Sequence, residues 1–196
     1  MTGAAIQPID AVSPQTGDSL NQFLQPWLVA MSTLPGNMVR PAFQADPPNI
    51  PDAGEAWMAF RYSTRPADDY PYFGAEFGAA ARPDVQVMQR HEMISVLCSF
   101  FDLGIGGQAD ALATLTRDNI AVPQNVEVLS ANNMGIANIG TLSPIPVIVK
   151  NRWQYRVDFP FTVRREIIRT YPVPSVAKVV GTVNTGSGLI QPFHSP

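Results

Sequence analysis

The stretch with the most enzyme-like spacing is Phe100 to Ala109, FFDLGIGGQA, which contains a G-x-G-x-x-A pattern at Gly104, Gly106 and Ala109. Glycines between a strand and a helix let backbone N–H groups at the helix N-terminus hold a pyrophosphate. An acid about 20 residues further on, here Glu127, would take a ribose hydroxyl. One reading is therefore a nucleotide-binding enzyme using the Gly104–Gly107 turn. Three features oppose it. The preceding strand is polar at its start and amphipathic, unlike a central parallel strand. Asp102 sets a negative charge where the phosphate would lie. No further β-α units follow. The competing reading is a plain strand-to-helix turn, and short glycine patterns are weak alone.

Other chemistry is thinner still. His91-Glu92 begins like a zinc-protease helix, but position 95 is Ser and the only other histidine is His194. No spacing of Asp, Glu, His and Cys supports a metal site. Cys98 alternates with apolar residues and reads as a small core side chain. No G-x-S-x-G elbow accompanies either histidine. Asp68-Asp69 lies in a proline-bearing segment, where solvated charge is the ordinary explanation. The sequence therefore predicts no catalytic residue, no metal and no cofactor.

The arginines are a different matter. From Trp153 the odd positions are apolar (Trp153, Tyr155, Val157, Phe159, Phe161, Val163) and the even ones are not (Gln154, Arg156, Asp158, Pro160, Thr162, Arg164). That is a strand with two unlike faces. The pair Arg164-Arg165 breaks the alternation, and Arg169 follows. A nucleic-acid surface would interleave arginines with exposed aromatics. Here the aromatics share the opposite face, and the chain carries a net charge of −3. A guanidinium fork pairing with acids of a neighbouring subunit fits better. Arg156, Arg164, Arg165 and Arg169 are the predicted contact residues. Pro160 cannot donate to a ladder, so this strand is predicted to be an edge or to carry a bulge.

The elements that would position these residues follow from periodicity. Asp18-Ser19 can cap a helix whose apolar stripe is Leu20, Phe23, Leu24, Trp27, Leu28 and Met31. Pro26 within it predicts a kink or two short helices. Met38–Gln44 reads as a short strand and Ala56–Thr64 as a longer one, after a proline-rich loop. Residues 65–84 read as a long loop anchored by Tyr70, Tyr72 and Phe73. Gln86–Asp102 is a strong strand with Ile94, Val96, Cys98 and Phe100 on one face; its polar start, Gln89 to Glu92, is predicted to project beyond the core. A helix over Gln108–Ala121 would point Leu112, Leu115 and Ile120 inward. Residues 126–149 read as short strands and turns. Strands with unlike faces favour antiparallel or mixed pairing. The predicted fold is α+β: a mixed, mostly antiparallel sheet of roughly four to six strands, helices packed on one face, and extended N- and C-terminal arms. The predicted boundaries are an arm over 1–17, a domain over 18–172 and an extended tail over 173–196.

The 196-residue length suits one such domain. Charged residues are 15% and prolines number 19. That suits either a surface largely covered by other subunits or one with long irregular loops. Charge is unevenly spread. From Lys150 onward seven basic residues face two acids, or +5, while the first 149 residues carry six basic and 14 acidic, or −8. Such asymmetry points to a chain that meets a copy of itself or an acidic partner. A single cysteine excludes an intrachain disulfide framework and suits a reducing compartment. The start, MTGAAIQPIDAV, does not read as a signal peptide, and no apolar run is long enough to predict a membrane span.

Four segments together, QPWLVAMSTLPGNMVRP, ADPPNIPDAGEAWMAF, QRHEMISVLCSFFDLGIGGQAD and VDFPFTVRREIIRTYP, resemble the neck- or tail-terminator-like proteins of tailed bacteriophages. The likeness spans roughly residues 20–172. It implies a small α+β domain that forms a ring, usually a hexamer, at the head–tail junction, without catalysis or cofactor. It implies a virion location, after synthesis in the host cytoplasm. The implied partners are copies of itself, the tail-tube protein and the head-side connector or head-completion protein, with the sheath a further candidate. DNA would only pass through the channel. A head-completion or tail-tube protein of the same particle is the alternative within this class.

Overall fold

The computed structural model describes residues 6–9, 16–44, 55–76, 85–102, 107–149, 152–172, 180–184 and 190–194. In chain order the elements are α1 (Asp18–Ser32), β1 (Val39–Pro41), β2 (Trp57–Thr64), β3 (Tyr72–Glu76), β4 (Val85–Asp102), α2 (Gln108–Ala121), α3 (Pro123–Ser130), β5 (Met134–Ile139), β6 (Ser143–Pro144), β7 (Val147–Val149), β8 (Arg152–Pro172), β9 (Val180–Asn184) and β10 (Ile190–His194). The chain forms two compact units. The larger comprises Ser13–Pro71 and Gln89–Ile167; the smaller comprises Met1–Val12, Tyr72–Met88 and Ile168–Pro196.

The fold is α+β, as the strand patterns predicted. The main sheet runs β1-β2-β4-β8-β5, with β3 paired to β4 and with β6 and β7 paired to β8. It has eight strands, beyond the four to six expected. The β1–β2 pairing is parallel, and β2–β4 and β5–β8 are antiparallel. In the larger unit the helices close over one face. Met58 and Phe60 of β2, Ile94 to Phe100 of β4 and Val157 to Val163 of β8 send alternate side chains into a core shared with Leu20, Leu24 and Leu28 of α1.

Helix α1 is a single element through Pro26, not the two short helices expected. Pro26 and Gln22 are both exposed, so the carbonyl that loses its helical donor faces water. Each buried leucine of the stripe contributes about 1.5–3 kcal/mol. Three of them together outweigh the ~3 kcal/mol cost of an interior proline. The N-cap is Gly17, at φ 55°, and not Asp18 or Ser19. The Ser19 hydroxyl instead donates to the Thr16 carbonyl at 2.9 Å.

Several other local expectations are corrected. Residues 126–130 belong to α3, which Pro123 starts at the position where a missing N–H costs nothing. Leu115 lies on the exposed side of α2, and Ala109, Ala113 and Thr116 are buried in its place. Part of the expected loop over 65–84 is strand β3. Tyr70, Tyr72 and Phe73 are exposed there and anchor nothing in the core. The proline-rich loop over 45–54 lies outside the described residues.

Strand β8 is no edge, since it sits between β4 and β5. Pro160 is accommodated by an irregularity instead. Phe161 pairs with Ile139 and Asp158 with Ser143, so four steps on one side match three on the other. The Gly140 N–H donates to the Pro160 carbonyl at 2.8 Å. A strand residue's N–H and C=O point to the same side, so the missing proline donor falls in the gap between β5 and β6.

In the smaller unit, β9 and β10 form an antiparallel pair, from Ile190 opposite Asn184 to His194 opposite Val180. The Ile9 N–H donates to the Thr170 carbonyl of β8 at 2.7 Å.

Gly140 provides a test of this arrangement. A Cβ there would lie 2.6 Å from the Pro160 carbonyl oxygen and 2.7 Å from its ring. Gly140→Ala is expected to lower stability by about 1–3 kcal/mol through overpacking, read as a lowered urea midpoint at unchanged m-value.

Candidate assembly interface

The alternation of β8 does not break at Arg164-Arg165. Phe161, Val163, Arg165 and Ile167 are all buried, while Arg164 and Ile168 are exposed. Arg165 therefore occupies the core side of the strand, at 2% exposure. On β4, Glu92 shares the parity of Ile94, Val96, Cys98 and Phe100 and is 4% exposed. It does not project beyond the core as its polar neighbours suggested. Arg165 Nε donates to Glu92 Oε2 at 3.0 Å, and Arg165 Nη2 bonds the same oxygen. Arg65, just past β2, takes Oε1, with Nε at 3.0 Å and Nη2 at 2.8 Å. Burial pushes the Glu92 carboxyl up, but the hydrogen bonds and charges of Arg165 and Arg65 outweigh it and hold it below the ordinary glutamate value.

The other predicted arginines have separate surroundings. Arg156 forks onto Asp158, Nε to Oδ1 and Nη2 to Oδ2 both at 2.6 Å. Its guanidinium lies 5.7 Å from the Phe101 ring centroid. Asp158 also accepts from the Ser99 hydroxyl at 2.7 Å, and Phe101 stacks on Trp57 with centroids 4.3 Å apart. This cluster occupies the sheet face away from the core. Arg164 is exposed, and its charge helps lower the Asp68 carboxyl, chiefly held down by its bond from the His91 N–H at 2.9 Å. Asp68 is thus a tether onto β4, which its acidic, proline-bearing context did not reveal. Arg169 is half-buried and belongs to the smaller unit. The structure brings none of the four arginines together with another. Arg165 and Arg156 are engaged within their own chain.

Exposed apolar side chains form the remaining candidate contact surface. Trp153, expected on the core face, is 69% exposed and stands opposite Ile148, itself 58% exposed. Its parity marked an apolar side of the strand, but no sequence signal told whether anything covers it.

The N-terminus of α2 is occupied by the chain itself. Gly107 sits at φ 71° before α2, and the Asp102 carboxylate accepts from the Gln108 N–H at 3.2 Å. A phosphate would have to displace a carboxylate from that amide. Gly104 and Gly106 lie outside the described residues. Glu127, the supposed ribose acid, is exposed on α3. Cys98 is fully buried, and burial pushes its thiol far up, out of the thiolate range.

Comparison with known proteins supplies the class. The phage neck terminator protein family matches residues 18–187, and the chain belongs to it. It is a phage structural protein of the neck, and its place is the virion. No curated protein matches the chain. A solved chain from the virion of a native gene transfer agent (GTA) particle is similar over 76% of this chain and 92% of its own, at 17% identity and a TM-score of 0.32. Among the described residues no helix is long and apolar enough to cross a membrane.

Two measurements test the site. Breaking the buried pair by Glu92→Gln or Arg165→Met is expected to cost about 3–5 kcal/mol, because a buried charge loses its partner. The double variant Glu92→Leu/Arg165→Met should recover most of that loss in urea unfolding. The lowered Glu92 carboxyl contributes stability fully above its ordinary value of 4.5, and the contribution is lost as pH falls through the lower folded value. Glu92→Gln should therefore flatten the acid limb of the stability curve below that pH. Separately, Cys98 should react with a thiol reagent only at the rate of unfolding, giving no fast phase in the native protein.

Proposed function

We propose that this chain forms a homo-oligomeric, hexameric ring at the phage head–tail junction. The ring terminates the tail tube and joins it to the head-side connector or head-completion protein, with DNA passing through the channel unread. The family match over residues 18–187 carries this reading. The exposed cross-strand pair Trp153–Ile148 supports it, since large apolar side chains side by side at a surface mark contact sites. Sheath contact is a further consequence where the tail has one. The mechanism is interface formation: apolar side chains bury between copies, and exposed arginines such as Arg164 set register against acids of a neighbour. Arg169 belongs to the same proposal from the smaller unit. Arg156 could turn to a partner only by exchanging Asp158 for another carboxylate, and Arg165 acts through the frame that presents Arg164.

The mass of the purified protein in solution, read beside negative-stain images, tests the reading. Closed six-membered rings are expected. Open-ended tubes would reassign the chain to the tail tube, and a monomer persisting at high concentration would remove the ring.

A further inference from the structure

A strand at a sheet margin leaves a row of N–H and C=O groups unpaired and can accept a further strand. Folded chains guard such margins with proline, with charge or by keeping the strand very short. Each of β1, β3, β5, β6, β7, β9 and β10 pairs with a single other strand. Strand β1 is three residues long, ends on Pro41, and has its Val39 carbonyl taken by Gln25 Nε2 at 2.8 Å. Strand β3 carries Glu76, β6 and β10 contain Pro144 and Pro192, and β7 has three residues. Two strands are left unguarded. They are β5, MGIANI, and β9, VGTVN, with neither a proline nor a charge. Among the described residues nothing hydrogen-bonds the main chain of Met134–Ile139 on the side away from β8.

We infer that β9 of one copy adds to β5 of the next, so that the β9–β10 ribbon extends the neighbour's main sheet. This rests on the ring reading above and names the contact that would build it. Three arguments select this occupant. First, the ribbon has no sheet to lean on in its own chain. β9 and β10 form a two-stranded sheet separate from the main one. Such a ribbon is marginally stable in water without further strands or a packed layer. The main sheet, with helices over one face, supplies both. Second, the two strands fit. They are six and five residues long. The ribbon from Val180 to His194 contains no Lys, Arg, Asp or Glu, so no charge is desolvated or opposed where it meets β5. Pro192 lacks an N–H, so β9 and not β10 offers an uninterrupted row of donors. Third, symmetry chooses between the pairings. β5 on β5, or β9 on β9, is a two-fold contact that closes at two copies. β9 on β5 is heterologous. Each copy gives its ribbon to one neighbour and receives a ribbon from the other, and the contact repeats until the ring closes. Main-chain hydrogen bonds supply the affinity, as in other cases of strand addition.

The test uses the full chain with a cysteine on each strand, Ala137→Cys and Thr182→Cys, and a short bismaleimide. Ala137 is exposed and falls at the irregularity between Ile136 and Asn138, so it has no cross-strand partner on β8 to lose. Native Cys98 is fully buried and sets the background. The chain with both cysteines should lose its monomer band on a denaturing gel and give a ladder from dimers to hexamers. Either cysteine alone should leave only monomer. Asn138→Cys with Val183→Cys repeats the measurement if the first pair does not keep the wild-type circular dichroism. Rings that form without crosslinking by either pair would overturn the strand contact and leave the ring reading standing. Dimers from a single cysteine would overturn it in favour of two-fold pairing. Crosslinks confined within one chain would overturn it too, since the ribbon would then fold back on its own sheet. A wild-type chain that is itself monomeric removes both readings.

Discussion

The carboxylate of Glu92, held between Arg165 and Arg65 on the core side of the sheet, is the constraint on which the rest of the larger unit depends. The two longest strands, β4 and β8, run side by side in the sheet. Apolar residues alone would let them slip. A slip of one residue moves every side chain to the other face. Here it would leave a buried guanidinium and a buried carboxylate each without its partner. The pair is a weak source of net stability and a strong source of register. Arg65 adds the chain leaving β2 to the same anchor, and Asp68 fastens that segment again at His91.

With register held there, the remaining features fall into place along β8. Its middle supplies Val157, Phe159, Phe161 and Val163 to the core. Its opposite face carries the Arg156–Asp158–Ser99 cluster against Phe101 and Trp57. Its first residues pair with β7, with Trp153 exposed opposite Ile148. One strand thus serves as core, as polar face and as exposed apolar surface, according to what lies over each part of it.

Much of the α+β frame was legible in the residues. Period-two patterns in Ala56–Thr64, Gln86–Asp102 and Trp153–Arg164 located β2, β4 and the apolar part of β8. The stripe from Leu20 to Met31 located α1, and Gln108–Ala121 is α2 with those bounds. The contact residues were harder to read. Arg165 resembled a break in the pattern because a charge at an inward position is indistinguishable from a slipped register until its partner is known. That partner, Glu92, lies 73 residues away. Both charges sat at the parity of their strand's buried face, with opposite signs. Reading the two strands together would have paired them. Leu115 and Trp153 misled in the opposite sense, since period marks the apolar side of an element and not whether anything covers it.

The sequence by itself determined the longer elements, the two unlike faces of its long strands and the family, because local periodicity and characteristic segments are properties of neighbouring residues. The tertiary structure decided which charges are buried, which aromatics are exposed and that β8 is interior. Burial depends on what packs above a residue, and pairing depends on residues far apart in the chain. An arginine at position 165 can address a partner or lock its own fold. Only the carboxylate of Glu92, brought beside it by the sheet, makes it a lock.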